Sequence, residues 1–80
     1  MKIVWDEPKR VTNLAKHGLD FARLDPEFFT AAKVTAAKEG RNTAVGELDG
    51  QTVTVVFAVL GEEALSIISM RPASRKERSL

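Results

Sequence analysis

The chain has 80 residues, of which 44% are hydrophobic and 29% charged, and it contains one histidine and no cysteine. This length supports one small hydrophobic core, so we expect a single domain over residues 1–80. Disulfides are excluded, and a lone histidine without cysteines cannot build a typical zinc site, so we expect no metal and no cofactor.

The charge of the chain is distributed unevenly. The formal net charge is +1, but residues 39–63 carry five acidic and one basic side chain, a net −4, and residues 71–80 carry four basic and one acidic, a net +3. Any contact with nucleic acid must therefore depend on local basic segments. No segment has the length of a signal-peptide core or of a membrane span, so we expect a cytoplasmic protein.

The amino-terminal residues predict a strand followed by a helix. Strand formers at residues 3–5 lead into Asp6 and Pro8, which are typical of a helix start. Residues 8–17 form the first predicted helix, and Gly18 ends it.

This first helix is predicted to be amphipathic, because its apolar and polar positions recur at helical spacing. The apolar face carries Val11, Leu14 and Ala15. The opposite face, predicted to be a basic outer surface, carries Lys9, Asn13, Lys16 and His17.

Two further helical stretches are expected before the chain changes to strand composition. Asp20 caps the first, which ends at Leu24, and residues 26–30 form the second because Pro26 interrupts the helix. Residues 33–36 fit a strand, although their alanines suit a helix equally.

The remaining residues predict antiparallel strands. Residues 41–48 and 51–60 are joined by an Asp-Gly hairpin turn, and the second strand is apolar on both faces, which indicates an interior position. Residues 64–71 predict another strand, which Pro72 ends, and residues 74–77 form a Ser-x-x-Glu capping box for a final helical turn. The last strand is expected to place Leu65, Ile67, Ser69 and Arg71 on one face.

This order of elements predicts an α+β fold. An N-terminal strand and two helices pack on an antiparallel meander of three or four strands, followed by a short C-terminal helix. The helices are expected on one face of the sheet, which leaves the other face open to a substrate or a protein partner.

The chain has no Gly-rich phosphate loop, His-Glu metal motif or nucleophile elbow. Its scattered basic and polar side chains instead suit metal-independent RNA cleavage. That reaction needs a base for the 2′-hydroxyl, cations for the charge on the phosphate and an acid for the leaving oxygen. Arginine fits the second task because its planar fork holds two phosphate oxygens.

Each candidate also has a structural interpretation. His17 fits a cation that stabilises the end of a helix, and exposed lysines are usually solvated. Arg71 fits a structural ion pair equally well, with Glu39, Glu47 or Glu77 as the partner.

Three segments of the sequence resemble the BrnT family of bacterial type II toxins. They are residues 1–9 (MKIVWDEPK), residues 13–21 (NLAKHGLDF) and residues 67–78 (IISMRPASRKER), and the similarity extends over essentially the whole chain. The combination is specific because three motifs occur in this order. The first is Trp-Asp with a following Lys, the second is Asn-x-x-Lys-His-Gly, and the third is Ile-Ser-x-Arg followed by Glu-Arg.

The resemblance implies a RelE-like ribonuclease fold, toxicity through RNA cleavage and blocked translation, and neutralisation by a BrnA-like antitoxin. It further implies that the antitoxin dimerises through a ribbon-helix-helix DNA-binding domain, that two toxins and two antitoxins form one complex, and that this complex represses its own operon.

The resemblance also selects polar positions of this chain. From residue chemistry we assign Arg41 and Arg71 to phosphate binding and transition-state charge, and His17 or Glu77 to proton transfer. The other matching positions, assigned to RNA binding, are Lys9, Asn13, Lys16, Ser69 and Arg78.

Two functions of other classes remain open at this point. One is a non-catalytic binding module that acts only by forming a complex with the antitoxin or with RNA. The other is a structural subunit that stabilises a DNA-binding partner.

Overall fold

The structure, a computed structural model, describes residues 1–79 and has the α+β class expected from the sequence. The strands are β1 (Lys2–Trp5), β2 (Lys33–Ala36), β3 (Arg41–Leu48), β4 (Gln51–Leu60) and β5 (Ala64–Pro72). The helices are α1 (Glu7–His17), α2 (Pro26–Ala31) and α3 (Arg75–Arg78), and a 3₁₀ turn covers Phe21–Arg23.

The sheet has five strands in the order β1-β5-β4-β3-β2. The sequence predicts an N-terminal strand packed on a meander of three or four strands, and in the structure that N-terminal strand is part of the sheet. Strands β2 to β5 pair antiparallel, and β4 lies at the centre, as its apolar faces indicate. β1 pairs parallel with β5, with Lys2 opposite Ala64 and Trp5 opposite Ile67, so the sheet is mixed. The outer edge of β5 would otherwise expose unpaired backbone groups, which the amino-terminal strand formers satisfy.

The helix ends follow from local chemistry. Gly18 adopts a left-handed conformation with φ 70° and ends α1. The side chains of Asp20, Asp25 and Ser74 accept backbone N–H groups at the starts of the 3₁₀ turn, α2 and α3. Asp6 precedes α1 in an extended conformation but makes no side-chain capping hydrogen bond.

The core lies between one face of the sheet and the segment formed by the 3₁₀ turn and α2. Aromatic rings meet edge to face within it: the Phe29 ring centre lies 5.2 Å from that of Phe28 and 5.2 Å from that of Phe57. The buried cluster consists of Phe21, Leu24, Phe28, Phe29, Ala44, Val53, Val55, Phe57, Ile67 and Met70.

Gly46 lets α2 approach β3 closely. A Cβ atom at this position would lie 3.1 Å from the Ala32 Cβ and 3.2 Å from a ring carbon of Phe28. The packing of α2 on the sheet therefore leaves little room for a side chain here, and a Cβ atom would require these neighbours to shift.

A β-bulge in β5 decides which side chains face the core. Val56 of β4 lies opposite Ser69, and the next residue, Phe57, lies opposite Ile67, so Ile68 is an extra residue in β5. The predicted face of Leu65, Ile67, Ser69 and Arg71 is therefore wrong: the bulge turns Ser69 and Arg71 to the face opposite the core and turns Met70 inward. Strict alternation fails wherever a bulge adds one residue.

Helix α1 has the opposite orientation to the one predicted. Its apolar side chains are exposed, Val11 by 53% and Leu14 by 37%, whereas Asn13 is 7% exposed. Because the aromatic residues of the 3₁₀ turn and α2 already fill the core face, α1 lies along the edge of the sheet beside the second half of β5. Among the described residues 1–79, the 3₁₀ turn and α2 cover the core face of the sheet, with Leu19 packed beside them.

Candidate functional site

A groove of about 540 Å³ runs between α1 and the second half of β5. It is cationic and open to solvent, and none of the described residues that line it is acidic. Its lining consists of Pro8, Lys9, Thr12, Asn13, Lys16, His17, Ile68, Ser69 and Arg71. We refer to it as the α1–β5 groove.

Asn13 fixes the two walls of this groove relative to each other. Its side-chain oxygen accepts the backbone N–H of Met70 at 3.1 Å, and its side-chain nitrogen donates to the Leu19 carbonyl at 3.2 Å. β1 pairs with β5 only as far as Ile67, so the amide replaces a strand partner that β5 lacks. Since Asn13 points inward, Lys9 and Lys16, four residues before and three after it, lie on the same side of α1.

Arg71 is held in a bidentate ion pair by Glu77 from α3. The two guanidinium nitrogens donate to the two carboxylate oxygens at 2.6 and 2.8 Å. The Ser74 backbone N–H also donates to the carboxylate at 2.8 Å, so the capping box of α3 orients it. The hydrogen bonds from Arg71 are the main reason that the pKa of Glu77 falls to about 2.

The same ion pair raises the pKa of Arg71 above its ordinary value. The Arg71 side chain is 40% exposed and that of Glu77 is 22% exposed. Arg71 therefore remains charged and keeps outward-facing donors toward the groove. Of the three ion pairs considered from the sequence, the structure contains the one with Glu77.

The α1–β5 groove brings together six of the nine residues assigned from the sequence: Lys9, Asn13, Lys16, His17, Ser69 and Arg71. Glu77 reaches the groove through Arg71. Arg78 is exposed on α3 outside the groove lining.

Arg41 also lies outside the groove lining, at the start of β3. It is opposite Ala58 on β4, whereas Arg71 is opposite Thr54. Ideal sheet spacing places the two arginine Cα atoms about 16 Å apart. Both project from the face of the sheet opposite the core.

Three groove residues, Pro8, Thr12 and Ile68, are not among those assigned from the sequence. The sequence could have indicated Thr12 as a groove residue, because it lies between Lys9 and Lys16 at helical spacing. The sequence could not have indicated Ile68, because this residue lines the groove only as the bulged residue of β5.

The first turn of α1 is fixed by a second set of ion pairs outside the groove. The Arg10 guanidinium bonds the Glu7 carboxylate at 2.7 Å and the Asp20 carboxylate at 3.1 Å. The Trp5 indole N–H also donates to Glu7 at 3.0 Å. The bonds from Arg10, followed by that from Trp5, lower the pKa of Glu7 to about 2.

A second groove, of about 590 Å³, has the opposite charge. It lies between α2 and the β3–β4 turn, and its single arginine, Arg23, is paired with Asp49 at 2.9 Å. The remaining acidic side chains in its lining are Asp25, Glu27 and Glu47. Although this groove is slightly larger, its charge makes it unsuitable for a polyanion.

Within residues 1–79, no three His, Asp or Glu side chains are grouped closely enough to hold a metal ion. None of the helices in that range combines the length and the apolar character that crossing a membrane requires.

The fold and site thus define a small α+β domain with a cationic groove at one sheet edge. Residues 5–77 match a family model described as the ribonuclease toxin, BrnT, of type II toxin-antitoxin systems. The chain is also similar to the Brucella abortus ribonuclease toxin BrnT, whose crystal structure was solved at 1.1 Å resolution. The two are 59% identical with a TM-score of 0.88, and the match covers 94% of this chain and 99% of that chain.

No match is found among curated proteins. The chain belongs to the BrnT family of type II ribonuclease toxins, because the family model covers most of its length and the Brucella protein is similar throughout. The resemblance seen in the sequence is confirmed.

Proposed function

We propose that this protein is an endoribonuclease that binds and cleaves RNA in the α1–β5 groove without a metal ion, and that this cleavage blocks translation. The observation that carries the proposal is the position of Lys9, Lys16 and Arg71 around one groove together with His17. The family supports the same activity, because it is a family of ribonuclease toxins.

Arg71 is the proposed binding group for the scissile phosphate. Glu77 fixes one side of its guanidinium, and the free donors on the other side suit a phosphate oxygen pair. Lys9 and Lys16 extend the positive charge along α1, which suits neighbouring phosphates of the same strand.

His17 is the proposed proton acceptor. It lines the groove and is half-buried, and a neutral imidazole nitrogen can accept a proton from a hydroxyl within hydrogen-bond reach. Glu77 suits this task less well, because its pKa of about 2 makes it a weak base and both of its oxygens already accept from Arg71. We therefore propose that Glu77 positions Arg71.

The proposed reaction is an attack by the RNA 2′-oxygen on the adjacent phosphorus. His17 takes the 2′-hydroxyl proton, the new O2′–P bond forms, and the P–O5′ bond breaks. Arg71 stabilises the extra negative charge on the phosphate oxygens in the transition state. A lysine ammonium group of the groove returns a proton to the 5′-oxygen, so the products carry a 2′,3′-cyclic phosphate and a 5′-hydroxyl.

Arg41 and Arg78 are proposed to contact the RNA backbone beyond the groove. Both are exposed, and Arg41 projects from the same sheet face as Arg71. Their contribution is expected to be mainly electrostatic and sensitive to salt.

We further propose a BrnA-like ribbon-helix-helix antitoxin as the partner, in a complex of two toxins and two antitoxins that represses its own operon. Membership of a type II family supports an antitoxin partner. The exposed apolar face of α1, with Val11 and Leu14, borders the groove and suits a protein that covers both. We also propose a RelE-like fold and a cytoplasmic location, where RNA and such a partner meet.

Purified protein and a single-stranded RNA test the activity directly. We expect cleavage that EDTA does not abolish, products with cyclic phosphate and 5′-hydroxyl ends, and loss of cleavage in Arg71→Ala. Arg75→Ala is the matched control, because Arg75 is an exposed arginine on α3 outside the groove lining. Equal cleavage by both variants contradicts the assignment of the groove.

Induced expression in cells, with mapping of messenger RNA ends, separates the three functions. Growth arrest with new RNA ends that require Arg71 supports the ribonuclease. Growth arrest without new ends indicates a binding module, and the absence of arrest indicates a structural subunit of the antitoxin complex.

A further inference from the structure

Thr54 has a fully buried hydroxyl in the middle of the sheet. It lies on β4 opposite Arg71, and its exposed fraction is 0%. Within the described residues 1–79, its hydroxyl oxygen has no hydrogen-bond partner. Such a group destabilises a fold relative to an apolar one of the same shape, and it calls for an explanation. Valines occupy positions 53, 55 and 56 around it, so the strand readily accepts valine.

The Thr54 hydroxyl lies close to the ion pair that holds Arg71. Thr54 and Arg71 are cross-strand neighbours, so their side chains project from the same face of the sheet. Glu77 approaches this position from α3. The pKa of Glu77 is lowered mainly by the hydrogen bonds from Arg71, and Thr54 contributes a smaller part of this lowering. The buried hydroxyl is therefore a potential donor to the Glu77 carboxylate.

Binding of a phosphate changes the hydrogen bonding between Arg71 and Glu77. In the free protein, Arg71 directs two N–H groups at Glu77. A phosphate bound by the outward-facing donors of Arg71 shares the guanidinium charge with Glu77, so the hydrogen bonds from Arg71 to the carboxylate weaken. Since the Glu77 side chain is only 22% exposed, water compensates for the weakened bonds incompletely.

We propose that Thr54 is a positioning residue that donates its hydroxyl hydrogen to Glu77 when Arg71 engages an RNA phosphate. This inference rests on the proposed function. Thr54 does not touch the RNA; it acts through Glu77 by adding a hydrogen bond to the carboxylate as those from Arg71 weaken. The hydroxyl that has no hydrogen-bond partner among the described residues of the free protein is thereby accounted for as a donor that acts mainly in the RNA complex.

The first test compares Thr54→Val, which removes only the hydroxyl, with Thr54→Ser, which keeps it. The probe is a short RNA with 2′-O-methyl groups, which binds without being cleaved. Thr54→Val is expected to weaken binding about tenfold, as for the loss of a hydrogen bond to a charged group, without lowering resistance to urea. Thr54→Ser is expected to bind like the wild type even where its lost methyl group lowers stability.

Thr43→Val is the matched control for this comparison. Thr43 projects from the same sheet face as Thr54, but its hydroxyl donates to the Thr35 carbonyl at 3.4 Å, away from Glu77. Thr43→Val should bind the 2′-O-methyl RNA with the same affinity as the wild type. Wild-type affinity in Thr54→Val, or equal weakening by Thr54→Ser, overturns the proposal.

The second test needs no RNA and separates the two proposals. In Arg71→Met the guanidinium is absent, so the Glu77 carboxylate is free to accept from Thr54. NMR titration of the Glu77 side chain should then give a lower pKa in Arg71→Met than in the double variant with Thr54→Val. Equal pKa values overturn the role of Thr54, whereas failure of the wild type to bind RNA, with unequal pKa values, overturns only the proposed function.

Discussion

The side-chain oxygen of Asn13 accepts the backbone N–H of Met70 at 3.1 Å, and this bond joins α1 to β5. Asn13 is therefore the residue that sets the width of the α1–β5 groove. Both ends of its amide are hydrogen-bonded to backbone groups, so we propose that Asn13, assigned to RNA binding from the sequence, positions the groove walls.

Asn13→Ala should lower the free energy of unfolding by about 1–3 kcal/mol, because it leaves the Met70 N–H without an acceptor. Urea denaturation measures this effect. Thr12→Ala, a change of an exposed neighbour on the same helix, should stay within about 0.5 kcal/mol of the wild type. An Asn13→Ala protein as stable as the wild type would show that the bond to Met70 contributes nothing.

Arg71 and Glu77 should differ in their effects on the cleavage rate. Arg71→Ala should slow single-turnover RNA cleavage by about 100-fold or more, because it removes the cation from the transition state. Glu77→Ala should slow it by only about tenfold, because Arg71 remains but is less well oriented. If Glu77→Ala abolishes cleavage as completely as Arg71→Ala, Glu77 has a more direct role than positioning.

Stability should fall in acid through two carboxylates. The pKa values of Glu7 and Glu77 are lowered to about 2, whereas an unfolded glutamate titrates near pH 4.3. Their contribution to the free energy of unfolding is fully present above about pH 5 and is lost as the pH falls toward 2. The reason is that these carboxylates bind protons at a higher pH in the unfolded chain than in the folded protein.

Thermal unfolding between pH 7 and pH 2 measures this dependence. Glu77→Gln should flatten the curve over that range, whereas Lys76→Gln changes a charge on the same helix without removing an ion pair of the described residues. A Glu77→Gln curve parallel to that of the wild type rules out a folded-state ion pair at Glu77.

Gly46→Val should destabilise the protein by about 1–3 kcal/mol, because its side chain would enter the space occupied by Ala32 and Phe28. Gly46→Ala should have a smaller effect in the same direction. Chemical denaturation distinguishes the two, and an increase in stability for Gly46→Val would show that α2 moves away from the sheet without penalty.

Leu14→Glu should weaken antitoxin binding while leaving RNA cleavage by the free toxin intact, because Leu14 lies on the exposed face of α1 outside the groove lining. Calorimetric titration with the cognate antitoxin and a cleavage assay provide the two readouts. Ala37→Glu, in the exposed connection between β2 and β3, adds the same single negative charge and serves as the control. Unchanged antitoxin affinity would place the partner on another surface.

Sequence patterns predicted the elements well because their signals are local. Gly18, Asp20 and the Ser74 capping box mark helix ends through their own backbone neighbours. The parallel pairing of β1 with β5 left no such signal, because it depends on which sheet edge remains free after the hairpins form.

Six residues that line the candidate groove were assigned from the sequence, but their arrangement was not predicted. Helical spacing alone placed Lys9, Asn13 and Lys16 together, but the direction of that face depended on the core already being filled by other residues. The position of Ser69 and Arg71 depended on the bulge at Ile68, which no alternation pattern reveals. The pairing of Arg71 with Glu77 was one of three that charge alone allowed.

The pairing of β1 with β5 has a consequence for synthesis of the protein. Lys2 pairs with Ala64, so the amino-terminal strand stays unpaired until residues 64–67 of β5 have left the ribosome. Arg71 likewise acquires its carboxylate partner only when residue 77 has been made. A ribosome that has not yet translated residue 77 therefore carries a nascent chain in which the Arg71 guanidinium is not yet oriented.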